Sequence, residues 1–170
     1  QCRHCRSGRA NLCSDMFFLG SAGRYPHVQG GFAQHLVLRQ DQVIPVPAET
    51  DLLRLSVAEP LSVALHAVNR AGPLSGRRIG LLTMQAARFA GALEVVATDV
   101  EDPPLQVARE HMGATSVINV VASPQGLAPY AADGGYFDVA FEVSGSPQAL
   151  TSLFPVVRRG ARIIQVGMLP

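Results

Sequence analysis

The sequence predicts an α/β protein built on a parallel sheet with helices packed against its faces. Three observations lead there. From Arg77 onward, short apolar runs alternate with segments of helical periodicity, the order expected of strands joined by helical crossovers. The strand runs are apolar at consecutive positions, as in Val95-Val96-Ala97, which marks strands covered on both faces. The composition, 48% hydrophobic and 16% charged, suits a sheet buried in that way.

The elements follow in order. Residues 1–24 lack periodicity and are rich in Gly, Ser, Asn and Arg, so they read as an irregular lobe. In residues 25–47 the short alternating runs 32–37 and 42–46 are broken by prolines, the pattern of antiparallel β structure. Residues 51–72 carry apolar residues at helical spacing and close on Ala71-Gly72-Pro73, a cap glycine and a proline stop. Pro60 is expected to divide this stretch into a short helix and a longer one. Next come a helix over 81–90 closed by Gly91 and a strand over 94–98 ending in Asp99. A helix over 105–112 closed by Gly113 and a strand over 116–121 follow. The last elements are a strand over 137–143 ending in Ser144-Gly145, a helix over 147–157, and a strand over 161–166 ending in Gly167. This divides the chain into a β-rich part (1–50), connecting helices (51–75) and the parallel-sheet part (76–170).

Several function classes are disfavoured. Net charge is +1, so no global field recruits nucleic acid or anionic lipid. Tryptophan is absent, and basic residues do not interleave with aromatics as single-strand binders require. No apolar run approaches the ~20 residues of a membrane helix. The opening "QCRHCRSGRANLC" is too polar for a signal peptide, so a cytoplasmic protein is expected. All three cysteines lie in the first 13 residues. Such crowding suggests a metal rather than a disulfide framework.

The stretch from Arg77 to Asp99 resembles a nucleotide-binding crossover. Such a unit needs a strand, a tight glycine turn, a helix whose N-terminus faces a diphosphate, and an acid about 20 residues on for the ribose. Gly80 fits the last glycine of that turn, and Asp99 follows 19 residues later. A carboxylate there repels a 2′-phosphate and so favours NAD over NADP. Upstream, "SGRRIG" is too short for both a strand of about five residues and a full glycine loop. The expectation is a segment missing between Arg78 and Ile79. A glycine at a helix start and an aspartate at a strand end also occur in α/β folds that bind no dinucleotide.

Cys2, Cys5 and Cys13 form a C-x2-C-x7-C pattern, a spacing at which thiolates can wrap a tetrahedral zinc. A closed site needs a fourth ligand. His4 lies between two ligands and would strain the loop, so a cysteine just before Gln1 is the better candidate. The alternatives are reduced surface cysteines or, with Arg3, His4, Arg6 and Arg9, a nucleic-acid zinc module. The second is disfavoured because no further C-x2-C follows.

These pieces occur together in one family. The cysteine lobe, "GGFAQHLVL", "AEPLSVALHAVNRAG", "VATD" and "FDVAFEVSG…GARIIQVG" resemble the polyol branch of the zinc-containing medium-chain dehydrogenases, over essentially the whole chain. The stretch "NLCSDMFFLGSAGRYPHVQGGFAQHLVL" is most similar to its L-idonate-type members. The cysteine spacing and "AEPLSV" are specific; the later strand-glycine pieces are generic. The resemblance implies a Rossmann-type doubly wound sheet joined to part of a GroES-like β-rich catalytic domain. It implies a structural zinc on Cys2, Cys5 and Cys13, and cofactor contacts from the strand-end residues Ser144, Gly145, Val166 and Gly167 beside Gly80 and Asp99. Phe17 and Phe18 would line the substrate cleft, aromatic core packing being the alternative. Glu59 would stand at a catalytic zinc, as ligand or through its water. An acid among Val57, Ala58, Pro60 and Leu61 is costly to bury unless it meets a metal or a partner; an exposed acid at a helix N-terminus is the bland alternative. The implied activity is hydride transfer between a secondary alcohol of a polyol or aldonate and NAD, in a homo-oligomer, dimer or tetramer. The family's main catalytic-zinc ligands lie upstream of the cysteine lobe, outside this sequence, and its GxGxxG loop is matched only at its end. The rival is therefore a truncated remnant or pseudoenzyme keeping the fold and the zinc lobe, which a continuous peptide across Arg78–Ile79 would favour. A zinc-free quinone reductase relative has no use for the cysteine lobe.

Overall fold

The structure, a computed structural model, describes residues 2–23, 25–80 and 84–169. The chain forms two compact units, Gln1–Thr50 and Asp51–Pro170.

The first unit holds a one-turn helix α1 (Arg3–Arg6) and 3-10 turns at Ala10–Leu12 and Gln40–Gln42. None of its described residues is buried, and none lies in a strand. The antiparallel strands expected over 32–37 and 42–46 are therefore not formed. A strand exists only through a ladder partner, and here the alternating residues meet solvent: Phe32, Val37 and Ile44 are fully or largely exposed.

The second unit carries the parallel sheet. Its strands are β1 (Arg78–Gly80), β2 (Glu94–Asp99), β3 (Ser116–Asn119), β4 (Phe137–Glu142) and β5 (Val157–Gln165). They lie in the order β3-β2-β1-β4-β5, and every pairing is parallel. Crossovers run one way from β1 through β2 to β3 and the other way through β4 to β5. The direction reverses between β1 and β4, the switch point at which such sheets open a crevice.

β1 corrects two expectations. Arg78, Ile79 and Gly80 pair in unbroken register with Glu94, Val95 and Val96, and Ile79 and Gly80 also pair with Val139 and Ala140. The first strand is present, with no break between Arg78 and Ile79. Gly80 ends a strand instead of opening a helix. Ladders on both sides satisfy this backbone, so three residues suffice where an isolated strand would need more. The next helix, α4, spans Met84–Phe89; the expected start at 81 lies outside the described residues.

The helices follow their local chemistry. Asp51 caps α2 (Leu52–Leu55) by accepting from the Leu53 and Arg54 amides. Pro60 does not divide α2 from α3 (Ala58–Ala71) but sits in the first turn of α3, where a missing N–H costs nothing. That helix ends at Gly72, whose φ of +80° a side chain would resist. Helix α5 (Asp102–His111) starts through Pro103 and Pro104, with Asp102 in its first turn and Arg109 and His111 in its last, each on the side the helix dipole favours. Ser146 caps α6 (Pro147–Leu153) through the Ala149 amide. The expected helix over 147–157 stops early because Val156 is recruited to the sheet: its carbonyl accepts from the Tyr136 and Phe137 amides at 2.8 and 3.0 Å.

The core lies on both faces of the sheet. Val95 packs with Ala87, Val139 and Phe141, and with Ala67 and Val68 of α3. Ala97, two residues on and facing the same way, packs with Leu105 and Ala108 of α5. Val96 faces the other side and meets Phe137, Val156 and the 3-10 stretch Ala128–Gly134.

Candidate functional site

All five strands run in one direction, so their carboxyl ends share one rim. Gly80 ends β1, Asp99 ends β2, Ser144 and Gly145 follow β4, and Val166 and Gly167 follow β5. The topology brings these six sequence-predicted residues to the rim that the switch point opens.

Asp99 is half-buried, and its Oδ1 accepts from the Val100 amide at 2.7 Å and the Glu101 amide at 3.0 Å. These bonds hold the carboxylate at the end of β2, one strand from β1. The turns after β4 and β5 are locked together. Gly145 has φ +73°, and a Cβ there would strike the Met168 carbonyl; a Cβ on Gly167 would strike the Gly145 backbone. Glycine is required at both positions because two main chains touch.

Sequence reasoning missed the residue that organises these turns. Glu142, last in β4, is 2% exposed. Its carboxylate accepts from the Ser144 amide at 2.8 Å, from the Ser144 hydroxyl, from the Gly145 amide at 3.0 Å and from the Gln165 side-chain amide. Burial alone pushes its pKa up, but donation by Ser144, Gln165 and Gly145 outweighs burial and holds the carboxyl below its ordinary value near 4.5. The available signal was an acid inside the apolar run "FDVAFEVSG", which burial would penalise without donors.

A pH prediction follows. The unfolded state binds the Glu142 proton more tightly, so this stabilisation is fully present above pH ~4.5 and lost as pH falls through the lowered native value. Urea midpoints measured between about pH 6 and 3 should fall on acidification, and Glu142→Gln should flatten that slope. A slope unchanged by the substitution would refute the account.

In the first unit, Cys2, Cys5 and Cys13 are half-buried free thiols whose sulfurs all lie within 4.8 Å of one another. Cys2 Sγ and Cys5 Sγ are 3.8 Å apart. With Zn–S bonds of about 2.3 Å, two tetrahedral ligands sit about 3.8 Å apart, so the donor set fits zinc. Backbone N–H groups of Cys5 and Ser14 lower the Cys2 thiol to about 6. Hydrogen bonding with Cys13 and Cys2, then burial and thiolate repulsion, push Cys5 up. His4 does not join the cluster.

Three predicted site residues lie on exposed surface. Glu59 lies in the first turn of α3 and is exposed, with Val57 and Leu61 exposed beside it. Phe17 and Phe18 are 65% and 56% exposed, so neither is packed into a core of this unit. Among the described residues no helix is long and apolar enough to cross a membrane.

Comparison with known proteins places this geometry. The family described as zinc-binding dehydrogenase matches residues 79–170. The L-idonate 5-dehydrogenase (NAD(P)(+)) of Escherichia coli (strain K12) is 40% identical over 177 residues, which cover 98% of this chain and 50% of that protein. The sorbitol dehydrogenase of Bacillus subtilis (strain 168) is 35% identical over 178 residues, covering 99% of this chain and 49% of that protein. The crystal structure of the L-idonate 5-dehydrogenase from Escherichia coli str. K-12 substr. MG1655 superposes with a TM-score of 0.90 at 38% identity, over 99% of this chain and 50% of that one. The chain thus spans about half the length of the curated relatives it matches. The matched stretches also exceed its own 170 residues, so these relatives carry residues inside the match that this chain lacks.

Proposed function

The chain belongs to the zinc-binding dehydrogenase family, and from that premise we propose that it carries the cofactor-binding part of an oxidoreductase moving a hydride between a polyol or sugar-acid secondary alcohol and NAD. The observation that carries this is Asp99 at the end of β2, on the same rim as Gly80, Ser144-Gly145 and Val166-Gly167. Asp99 would accept from the adenosine ribose hydroxyls, and the turns after β4 and β5 would receive the rest of the dinucleotide along the crevice. Cys2, Cys5 and Cys13 would hold a structural zinc. Glu59 would stand at a catalytic zinc, and Phe17 and Phe18 would line the substrate cleft. When bound, the nicotinamide supplies the hydride acceptor and the catalytic zinc a Lewis acid for the alcohol oxygen. The substrate class follows the relatives, which are named for L-idonate and sorbitol. The same reading makes the protein a cytoplasmic homo-oligomer, dimer or tetramer, a state that light scattering decides.

The test is direct binding of NADH and NADPH to the purified chain, followed by fluorescence. NADH is expected to bind at least about tenfold tighter, because the Asp99 carboxylate repels a 2′-phosphate. Asp99→Ala should weaken NADH and close the gap to NADPH. Equal affinities in the wild type would sink the role of Asp99. Turnover of L-idonate, sorbitol and xylitol with NAD by the full-length protein tests the substrate class; failure with all three refutes it.

Three observations together favour a second reading. The match to the relatives is longer than this chain, β1 runs unbroken through Arg78 and Ile79, and only three residues, none of them glycine, separate Gly80 from Met84. A chain with so short a crossover has lost most of the diphosphate loop and would keep the fold and the zinc lobe without binding cofactor. Absence of NADH binding together with retained zinc identifies this remnant.

A further inference from the structure

We infer that Glu142 is a positioning residue for the nicotinamide half of the crevice, its buried carboxylate clamping the turn after β4 to the end of β5. The inference rests on the dinucleotide reading above and adds a residue to it. In a sheet of this order β1 to β3 serve one mononucleotide, and the strands beyond the switch point serve the other. Glu142 lies on that second side, between the two strand ends that would meet the nicotinamide riboside.

Its hydrogen bonds are what a clamp requires. One carboxylate oxygen accepts from the Ser144 amide and hydroxyl, and both oxygens receive the Gly145 amide at 3.0 Å. The other oxygen also accepts from Gln165 of β5, and that same Gln165 amide donates to the Gly167 carbonyl at 2.7 Å. The Glu142 backbone carbonyl takes the Val166 and Gly167 amides at 2.7 and 3.1 Å. Both turns are therefore tied to a single residue. Only an acceptor-only group with two oxygens can satisfy donors on both strands at once. A glutamine would aim an NH2 at one set of N–H donors.

The clamp also decides what the turn presents. The Ser144 and Gly145 N–H groups are spent on Glu142, so neither is left to bind a phosphate. A turn whose amides are already bonded is suited to groups that donate, such as ribose hydroxyls and a carboxamide NH2, and not to a phosphate. Closing a sheet needs no charge, and burying a carboxylate is costly unless a full set of donors offsets it. A buried acceptor that turns two main chains toward the rim is explained by what the rim must hold.

The experiment compares NADH with ADP-ribose, which share adenosine and diphosphate and differ by the nicotinamide. Affinities are measured for the full chain, for Glu142→Gln and for Gln165→Ala, which removes only the arm to β5. Glu142→Gln is expected to weaken NADH roughly tenfold while leaving ADP-ribose within about twofold, and Gln165→Ala to do the same more weakly. Amide hydrogen exchange at Ser144 and Gly145 should accelerate in Glu142→Gln. Unchanged NADH affinity in both variants overturns the clamp. Equal loss of both ligands overturns it too, since a generally destabilised domain behaves that way. If the wild type binds neither ligand, the dinucleotide reading itself fails and takes this inference with it, an outcome told apart by appearing before any substitution is made.

Discussion

Cys5→Ser is expected to weaken zinc binding by the chain at least ~100-fold, since losing an outer-shell partner alone costs 10–100-fold. The wild type should hold about one zinc per chain against a chromophoric chelator. The effect is large because the first unit has no buried core: none of its described residues is buried, and a lobe without a core takes its folding free energy from the metal. Cys5 is the informative choice. It is the middle ligand of the pattern, and its sulfur lies 3.8 Å from Cys2. A hydroxyl there neither ionises readily nor matches zinc's preference for thiolate. Zinc affinity equal to wild type in Cys5→Ser, or no zinc in the wild type, would end the structural-metal proposal.

Phe141→Ala is expected to destabilise the second unit by about 3–5 kcal/mol, a large fraction of the stability such a domain has. Phe141 is fully buried on the interior strand β4 and packs with Val95, Val139 and Ala87. Truncation leaves a cavity that helices α3 and α4, already seated through small residues such as Ala67 and Ala87, cannot close. Urea unfolding should show a lower midpoint at unchanged slope. A loss under ~1 kcal/mol would mean that this cluster is not the core.

The parts legible in the sequence were those written in local chemistry. Runs such as Val95-Val96-Ala97 announce a strand covered on both faces. The punctuation at Asp99, Ser144-Gly145 and Gly167 marks strand ends that a parallel sheet must bring to one rim. The cysteine spacing announced a cluster, and three thiols within 4.8 Å form it. The errors fall where a residue's state depends on what lies across from it. Residues 32–37 alternate like a strand, yet no ladder forms on them among the described residues. Arg78–Gly80 looked too short for a strand but is held from both sides by β2 and β4. Glu59 sits among apolar residues in sequence, and only the fold showed that they and it are exposed.

The sequence by itself determined the family, the alternation of strands and helices, and the residues at strand ends, because periodicity, caps and glycines act within a few positions of themselves. Only the tertiary structure decided that β1 survives as three residues at the switch point. It alone decided that two glycines 22 positions apart touch main chain to main chain, and that Glu142 turns inward to gather the ends of β4 and β5. Those outcomes depend on hydrogen-bond donors and backbones that meet only when distant strands lie side by side.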